Sequence, residues 1–296
     1  MKTVLAIDIG GTKLATAIVA ADGRVLARHK APVARESLAA TMSQIADQAS
    51  GSVKDAGLEW TQVSVAGAIV PGIYREKEGS AWAPNLWGDR DVDLKSALNA
   101  HLPLPVRIDS DRAGYVLGEQ WLGVARGLSD VVFLAVGTGI GAGILSGGRL
   151  LRGAGDIAGA VGWFALQPEY REDYRDCGCW EAEAAGPALA RRAGEATAEA
   201  AVQAARSGSR RAQQAIGETV RFLAMGIANL VSALNPEMVV LGGGLMQAAD
   251  LFLEPIRRAV PQWAQPYAMR QARIELSALG ESAGLLGAAK LAMDFG

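Results

Sequence analysis

The 296-residue chain predicts an α/β fold in two lobes built on one plan. Three observations predict it. The length suits two domains at roughly 100–200 residues each. Short apolar runs, the mark of buried strands, alternate with stretches of helical character. One pattern also occurs twice: strand, Gly-Thr turn, strand, tight turn, strand, first around Gly11-Thr12 and again around Gly137-Thr138. Two hairpins alike by chance would give the same pattern. Duplicated lobes would in addition set two Gly-Thr turns across one cleft.

Val4–Ile9 reads as a buried strand, closed by the turn Gly10-Gly11-Thr12. Leu14–Ala20 is a second strand, Ala21-Asp22-Gly23 a hairpin turn and Arg24–Val33 a third strand. Ser37–Gly57 looks helical, and Val63–Ile69 is a strand closed by Pro71-Gly72. Tyr74–Gly88 carries Gly, Pro, Asn and Trp without periodicity and reads as a loop. Val92–Leu102 looks helical, Val106–Ile108 is a strand leading to Asp109-Ser110-Asp111, and Ala113–Gly123 looks helical. Val131–Val136, Ile140–Leu145 and the run from Arg149 are strands, parted by Gly137-Thr138-Gly139 and Ser146-Gly147-Gly148. Glu181–Leu234 is an Ala-rich helical block with a break near Ser207-Gly208-Ser209. Asn235-Pro236 stops it, because the residue before proline is pushed out of the helical region. Met238–Leu241 is a strand, Gly242-Gly243-Gly244 a loop, Leu245–Phe252 the opening of a helix and Gly284–Met293 a final apolar helix.

Composition removes several classes of function. Hydrophobic residues are 50% and charged residues 20%, which suits a packed globular chain rather than a disordered one. The net charge of −2, from 29 basic and 31 acidic side chains, argues against broad binding to nucleic acid. Cys177 and Cys179 flank one glycine, too close to bridge easily, so the chain reads as cytoplasmic. His29 and His101 sit in no recognisable motif, which leaves a Ser-His-Asp hydrolase or a multi-histidine metal site without support. Asp8 interrupts the N-terminal apolar run, so a signal peptide is not expected. The uncharged stretch Val131–Gly148 is near the lower limit for a spanning helix. Its glycines suit a strand, a loop and a hairpin better, so no membrane segment is expected.

Three glycine loops follow three apolar strands: Asp8-Ile-Gly-Gly-Thr-Lys13, Gly137-Thr-Gly-Ile-Gly141 and Gly242-Gly-Gly244. Glycine lets backbone N–H groups approach an anion closely, and a Thr hydroxyl adds a donor. Each loop alone is commonly just a turn; three together, two with Gly-Thr, point to phosphate. Asp8, at a strand end, can hold Mg²⁺ through water. Lys13 touches phosphate or is merely solvated. A Walker loop needs a Gly-Lys pair, and the chain has none. Gly137-x-Gly139-x-x-Ala142 fits a dinucleotide fingerprint, but that must open a helix, and here a strand and turn follow. Phosphoryl transfer further needs a proton acceptor. Asp111, between a strand and a helix, suits either that role or a helix cap, and the two are compatible.

These residues resemble the ROK family (repressors, open reading frames and sugar kinases) of the actin-like ATPase superfamily. The resemblance covers nearly the whole chain. It rests on Asp8–Lys13, Pro71-Gly72, Ala83-Pro-Asn-Leu86, Asp111 with Leu117-Gly-Glu119, Gly137–Gly143, Gly178-Cys-Trp-Glu181 and Asn235-Pro236 leading to Leu241–Gly244. It implies a two-lobed actin-like ATPase (ribonuclease H-like) fold, each lobe a mixed sheet flanked by helices. The expected division is a small N-terminal lobe of 1–111 plus 284–296 and a large C-terminal lobe of 112–283. The resemblance also implies ATP-dependent phosphorylation of a sugar hydroxyl, usually the 6-hydroxyl of a hexose or amino sugar. Asp111 falls on the family's catalytic aspartate. Gly10, Gly11, Thr12, Gly137, Thr138 and Gly139 fall on phosphate-binding positions, and Gly242, Gly243 and Gly244 on the adenosine-binding segment. Asn85 falls on the loop that closes over sugar, and Glu181 on a sugar-contacting glutamate. A homodimer or homotetramer is expected.

The departures concern the acceptor. Where the family commonly reads Asn-Asp, this chain has Ser110-Asp111. Where it reads Gly-Glu-x-Gly-His, with Glu and His on sugar hydroxyls and His also on zinc, this chain reads Gly159-Ala160-Val161-Gly162-Trp163. Cys179 matches one zinc-ligand position, Glu172 and Tyr174 occupy two others, and Cys177 is out of register. A structural zinc wants four N or S ligands, so no zinc is expected. A pocket that loses polar partners binds sugar hydroxyls poorly. Trp163 instead offers a face for stacking, or fills the vacated space. The expected acceptor is therefore a polyol, an inosose, a deoxy sugar or another unusual sugar-like alcohol rather than glucose. Two other functions compete. A repressor would carry a helix-turn-helix segment before the Asp8 motif, which begins too early for one. A non-catalytic sugar or nucleotide sensor is supported by the missing Glu and His and opposed by Asp8, Asp111 and the three loops.

Overall fold

β1 (Thr3–Ile9) is buried at nearly every position, as a strand covered on both faces must be. In this computed structural model, which describes residues 2–294, β1 is the centre of a five-stranded sheet. With β2 (Lys13–Ala20), β3 (Val25–Pro32), β4 (Val63–Val70) and β8 (Val106–Ser110), the order is β3-β2-β1-β4-β8. β1 runs antiparallel to β2 and parallel to β4. Leu5, Ile7 and Ile9 share a core with Met42, Ile45 and Ala49 of α1 (Leu38–Asp55) and Leu94 and Leu98 of α3 (Leu94–His101). Asp8, of opposite parity, lies against α12 (Ala283–Met293).

α4 (Asp111–Leu122) packs on α12 through glycines. A Cβ on Gly287 would lie 1.7 Å from the Gly114 carbonyl oxygen, and one on Gly118 2.3 Å from that of Ala283. This contact fixes α4 to the first sheet. The first compact unit is Met1–Arg126, Arg152–Ile157 and Glu281–Gly296, so its border falls after α4 rather than before it. Met1 and residues 295 and 296 of the expected small lobe lie outside the described residues.

The expected loop 74–88 is largely structured. β5 (Ile73–Arg75), β6 (Ser80–Trp82) and β7 (Asp91–Val92) form a small antiparallel sheet, and α2 (Pro84–Trp87) is a single helical turn. Strands of two or three residues are too short to show a period. They are held because Tyr74, Ala81, Leu86, Trp87 and Val92 bury themselves in the first unit's core.

The second unit, Gly127–Leu151 and Ala158–Gly280, repeats the plan. β9 (Val131–Val136), β10 (Ile140–Ser146), β11 (Arg149–Leu150), β12 (Met238–Gly242) and β13 (Arg273–Leu276) have the order β11-β10-β9-β12-β13. β9 runs antiparallel to β10 and parallel to β12, as β1 does to β2 and β4. The repeated sequence pattern is thus a repeated topology. After the short α5 (Tyr174–Cys177), the Ala-rich block resolves into the end of α6 (Cys179–Ala184), α7 (Gly186–Ala193), α8 (Ala198–Arg206) and α9 (Arg210–Leu234). α9 ends on Asn235 at φ 46, the left-handed conformation that asparagine tolerates, and Pro236 follows. The helix expected from Leu245 begins later, as α10 (Ala249–Ala259) after a short 3₁₀ segment, and α11 (Pro266–Gln271) follows. Among the described residues, no helix is long and apolar enough to cross a membrane.

Candidate active site

In the first unit, the chain leaves β1 just past Asp8 and turns through Gly10, Gly11 and Thr12. The Gly10 N–H donates to the Lys13 carbonyl at 2.9 Å, and a Cβ on Gly10 would stand 2.7 Å from that oxygen. A side chain there would push the turn open. Thr12 and Lys13 are exposed. Asp8 is partly buried, and its carboxylate has no hydrogen bond or ion pair among the described residues. Burial, and then the Asp111 charge, raise its pKa to about 7, against weaker pulls from Arg28 and Lys30. An unpartnered carboxylate of oxygen donors at the end of a strand fits a hydrated magnesium ion.

Asp111 opens α4. The cap is the preceding Ser110, whose Oγ accepts from the Ala113 N–H at 3.4 Å. The sequence left Asp111 open between cap and base; capping falls to its neighbour. Asp111 Oδ1 accepts from the Arg112 N–H at 2.8 Å. One helical turn on, Tyr115 donates its hydroxyl hydrogen to the same carboxylate. Burial still raises the Asp111 pKa to about 6, against the lowering pull of Arg112. Burial, Asp111 and Asp8 together push the Tyr115 phenol well above its ordinary value. Gly284 of α12 makes room for the group: a Cβ there would stand 2.8 Å from Asp8 Oδ2 and 3.1 Å from Tyr115 Cε1.

Behind Asp111, the buried Asp109 accepts from the Ser110 N–H at 2.7 Å and faces Arg152 Nη1 at 2.6 Å. Arg152 and Arg107 each come within 3.7 Å of Glu76. The Glu76 N–H donates to Asp156 at 3.2 Å. Arg112 Nη2 donates to the Gly72 carbonyl at 3.3 Å. The segment Arg152–Ile157 therefore braces the strand end that carries the candidate base. Sequence reasoning missed Arg112, Tyr115 and Arg152. Only Tyr115 left a signal, four residues after Asp111 and hence on its face of the helix. Asn85 lies on α2, exposed.

In the second unit, the Gly137 N–H donates to the Gly139 carbonyl at 2.9 Å and the Gly186 N–H to the Gly137 carbonyl at 2.8 Å. A Cβ on Gly137 would lie 3.6 Å from the Gly244 nitrogen, so the loops at the ends of β9 and β12 adjoin. Gly243, at φ +89, passes so close to β9 that a Cβ would sit 2.4 Å from the Val136 carbonyl oxygen; only glycine fits. Thr138 is exposed. Glu181 of α6 accepts from the Ile140 N–H at 2.7 Å, and burial raises its pKa. A Cβ on Gly139 would stand 2.6 Å from its Oε2. This unit therefore gathers Gly137, Thr138, Gly139, Gly242, Gly243, Gly244 and Glu181 at one end of its sheet. Trp163, 57% exposed, ends the 3₁₀ turn Val161–Trp163 and packs against Gly178, whose Cβ would stand 2.6 Å from the Trp163 Cα.

The residues at the zinc-ligand spacings do not make a zinc site. Tyr174 and Cys179 pack with Ala182 in a small apolar cluster, and the Cys179 Sγ accepts from the Leu166 N–H at 3.3 Å. Glu172 is exposed. One thiol and a phenol fall short of four N or S donors. Among the described residues, no group of three or more His, Cys, Asp or Glu side chains can hold a metal ion.

Two sheets of one topology, each with a glycine turn between its central antiparallel pair, define a protein of the actin-like ATPase fold. The comparisons with known proteins agree. The ROK family model matches residues 4–294, and the chain belongs to that family. It is 32% identical to a glucokinase of Streptomyces coelicolor, over 99% of this chain and 98% of that protein. It resembles the crystal structure of a ROK hexokinase from Thermus thermophilus, with a TM-score of 0.84 and 30% identity over 98% of each chain. It also resembles a ROK family glucokinase from Streptomyces griseus, solved in complex with glucose and AMPPNP. There the TM-score is 0.79 and the identity 28% over 99% of each chain.

Proposed function

We propose that this chain is an ATP-dependent carbohydrate kinase in which Asp111 removes the proton from an acceptor hydroxyl as that oxygen attacks the γ-phosphate. The carrying observation is the Asp111 carboxylate, held by the Arg112 N–H and the Tyr115 hydroxyl at the start of α4, with its pKa raised to about 6. A base with that value is ionised at neutral pH yet still basic enough to take a proton. Phosphoryl transfer otherwise needs positioning and charge stabilisation. In the turns Gly10–Thr12 and Gly137–Gly139 the Gly10 and Gly137 N–H groups close the turns, which leaves those of Gly11, Thr12, Thr138 and Gly139 to phosphate oxygens, and Lys13 brings a positive charge. Gly242–Gly244 borders the adenosine. Asp8 would hold a hydrated magnesium ion, which would supply neutralising charge for the phosphates. Ser110 holds the helix start, and Asn85 and Glu181 meet the acceptor.

The acceptor is a sugar or a sugar-like polyol. Ala160 and Trp163 stand where a Glu and a His would read sugar hydroxyls, which supports an acceptor other than glucose. The glucokinase names of the Streptomyces relatives put glucose first in the panel that tests this. Purified enzyme with magnesium ATP is assayed for ADP release against hexoses, amino sugars, deoxy sugars, inososes and polyols. Acceptor-dependent turnover, best with a member other than glucose, is expected. Glucose as the best acceptor overturns the acceptor assignment. Nucleotide binding without transfer to any member overturns the kinase in favour of a sensor.

A further inference from the structure

Glu183 is a buried carboxylate, 2% exposed, in the turn of α6 that follows Glu181. A charge so placed is tolerated only when every oxygen is satisfied. Here the Tyr174 hydroxyl donates to Oε1 at 2.7 Å and Arg171 Nη1 to the same oxygen at 2.5 Å. Arg192 Nη2 donates to Oε2, and Arg192 Nη1 to the Glu183 backbone carbonyl. Each guanidinium then reaches a surface carboxylate, Asp173 for Arg171 at 2.5 Å and Glu218 for Arg192 at 3.1 Å. Arg171 also lies over the Tyr174 ring, 4.9 Å from its centroid. The result is an alternating chain of charge that ties the segment before α6 to α6 itself and to α7. The Arg191 bond to the Ala182 carbonyl at 2.9 Å adds to it.

Tyr174 stands at one of the spacings where the family resemblance expects a zinc ligand, and its ring packs against Cys179, which stands at another. The donor set there does not fit zinc. We propose that the Tyr174–Glu183–Arg171–Arg192 network is a metal-independent lock, standing in for a structural zinc, that fixes α6 and through it the Glu181 bond to the Ile140 N–H. Glu181 is two residues from Glu183, and its carboxylate seats the backbone directly after the Gly137–Gly139 turn. The lock therefore holds the glycine turn in shape from behind.

Two activity-independent measurements test this, so their outcome is separate from the fate of the kinase assignment. The first is the metal content of the purified protein. Zinc well below one per chain, with amide exchange unchanged by a zinc-selective chelator, is expected. One zinc per chain retained through dialysis overturns the lock. The second is amide hydrogen exchange in Tyr174→Phe. Losing one hydrogen bond to a buried carboxylate raises local opening about tenfold or more. Faster exchange is expected at Ile140, at Leu166 and across 174–184, with the core of α9 unchanged. Unchanged exchange at Ile140 and Leu166, or equal acceleration throughout α9, overturns it. Should Tyr174→Phe fail to fold, Arg171→Gln removes a partner from the exposed side. It should loosen the same amides, and no local change in that variant also overturns the lock.

Discussion

The Asp8 carboxylate sets up a measurable conflict between folding and function. Its pKa is 3.8 in an ordinary setting and about 7 in the folded protein, because burial and the Asp111 charge oppose ionisation. Below pH 4 the group is protonated whether folded or unfolded and costs nothing. Between pH 4 and 7 the unfolded chain ionises it while the folded chain holds the proton, so stability falls as pH rises through that window. Above pH 7 the whole cost is present. The displacement corresponds to about 4 kcal/mol at full value. Because part of it is repulsion shared with Asp111, about 2–4 kcal/mol is the working range. Asp8→Asn keeps the size of the side chain and removes the charge. Because part of the cost is already present at pH 5, urea unfolding of both proteins at pH 5 and pH 8 should show the variant gaining on the parent by about 1–3 kcal/mol between the two conditions. Added magnesium should narrow the gap at pH 8 by stabilising the parent alone. Phosphoryl transfer in the variant should be lost or nearly so. A variant less stable than the parent at pH 8, or one equally stabilised by magnesium, would refute the reasoning.

Three further outcomes follow from the same geometry. Asp111→Asn should lower turnover by about 10²–10⁴ while AMPPNP affinity measured by calorimetry is kept. In the parent, kcat/KM should fall as pH drops through about 6, since the base works only when ionised. Tyr115→Phe removes a donor that favours the Asp111 carboxylate, so that acid limb should move to higher pH; a limb that stays in place would take Tyr115 out of the site. Gly287→Ala would put a Cβ 1.7 Å from the Gly114 carbonyl oxygen and should lower stability by about 3 kcal/mol or prevent folding, read from the urea midpoint.

The central strands and the long helices were legible because their patterns run for six or more residues. β1, β2, β9, β10 and α9 fall within a residue or two of the elements read from the sequence. The duplicated plan was legible as well, since the Gly-Thr turns stand at like places in the two sheets. The small sheet of β5, β6 and β7 was not, because strands of two or three residues have no period to read. The border after α4 was hidden for a different reason. It is set by Gly114, Gly118 and Gly287 meeting backbone across two helices far apart in sequence, and a glycine in a helical run carries no label of its partner. Asp8, Asp111 and the glycine turns could be named in advance because backbone donors and a strand-end carboxylate are local features. Arg152 could not, since its ion pair with Asp109 exists only once the segment Arg152–Ile157 folds back onto the first unit.

Two carboxylates, treated in opposite ways, show where the chemistry lies. Glu183 is buried, and the protein gives it a phenol and two guanidinium groups, so its charge is fully answered within the fold. Among the described residues Asp8 has no such partner, and Gly284 leaves room beside it. A chain that can build the first arrangement has the means to build the second. Leaving Asp8 unanswered costs stability at neutral pH, and such a cost persists where a ligand removes it. On the proposed function, the positive charge missing at Asp8 among the described residues is the one that a magnesium ion bound with the nucleotide would bring. On that ground the unpartnered aspartate says more about the reaction than any of the glycine loops beside it.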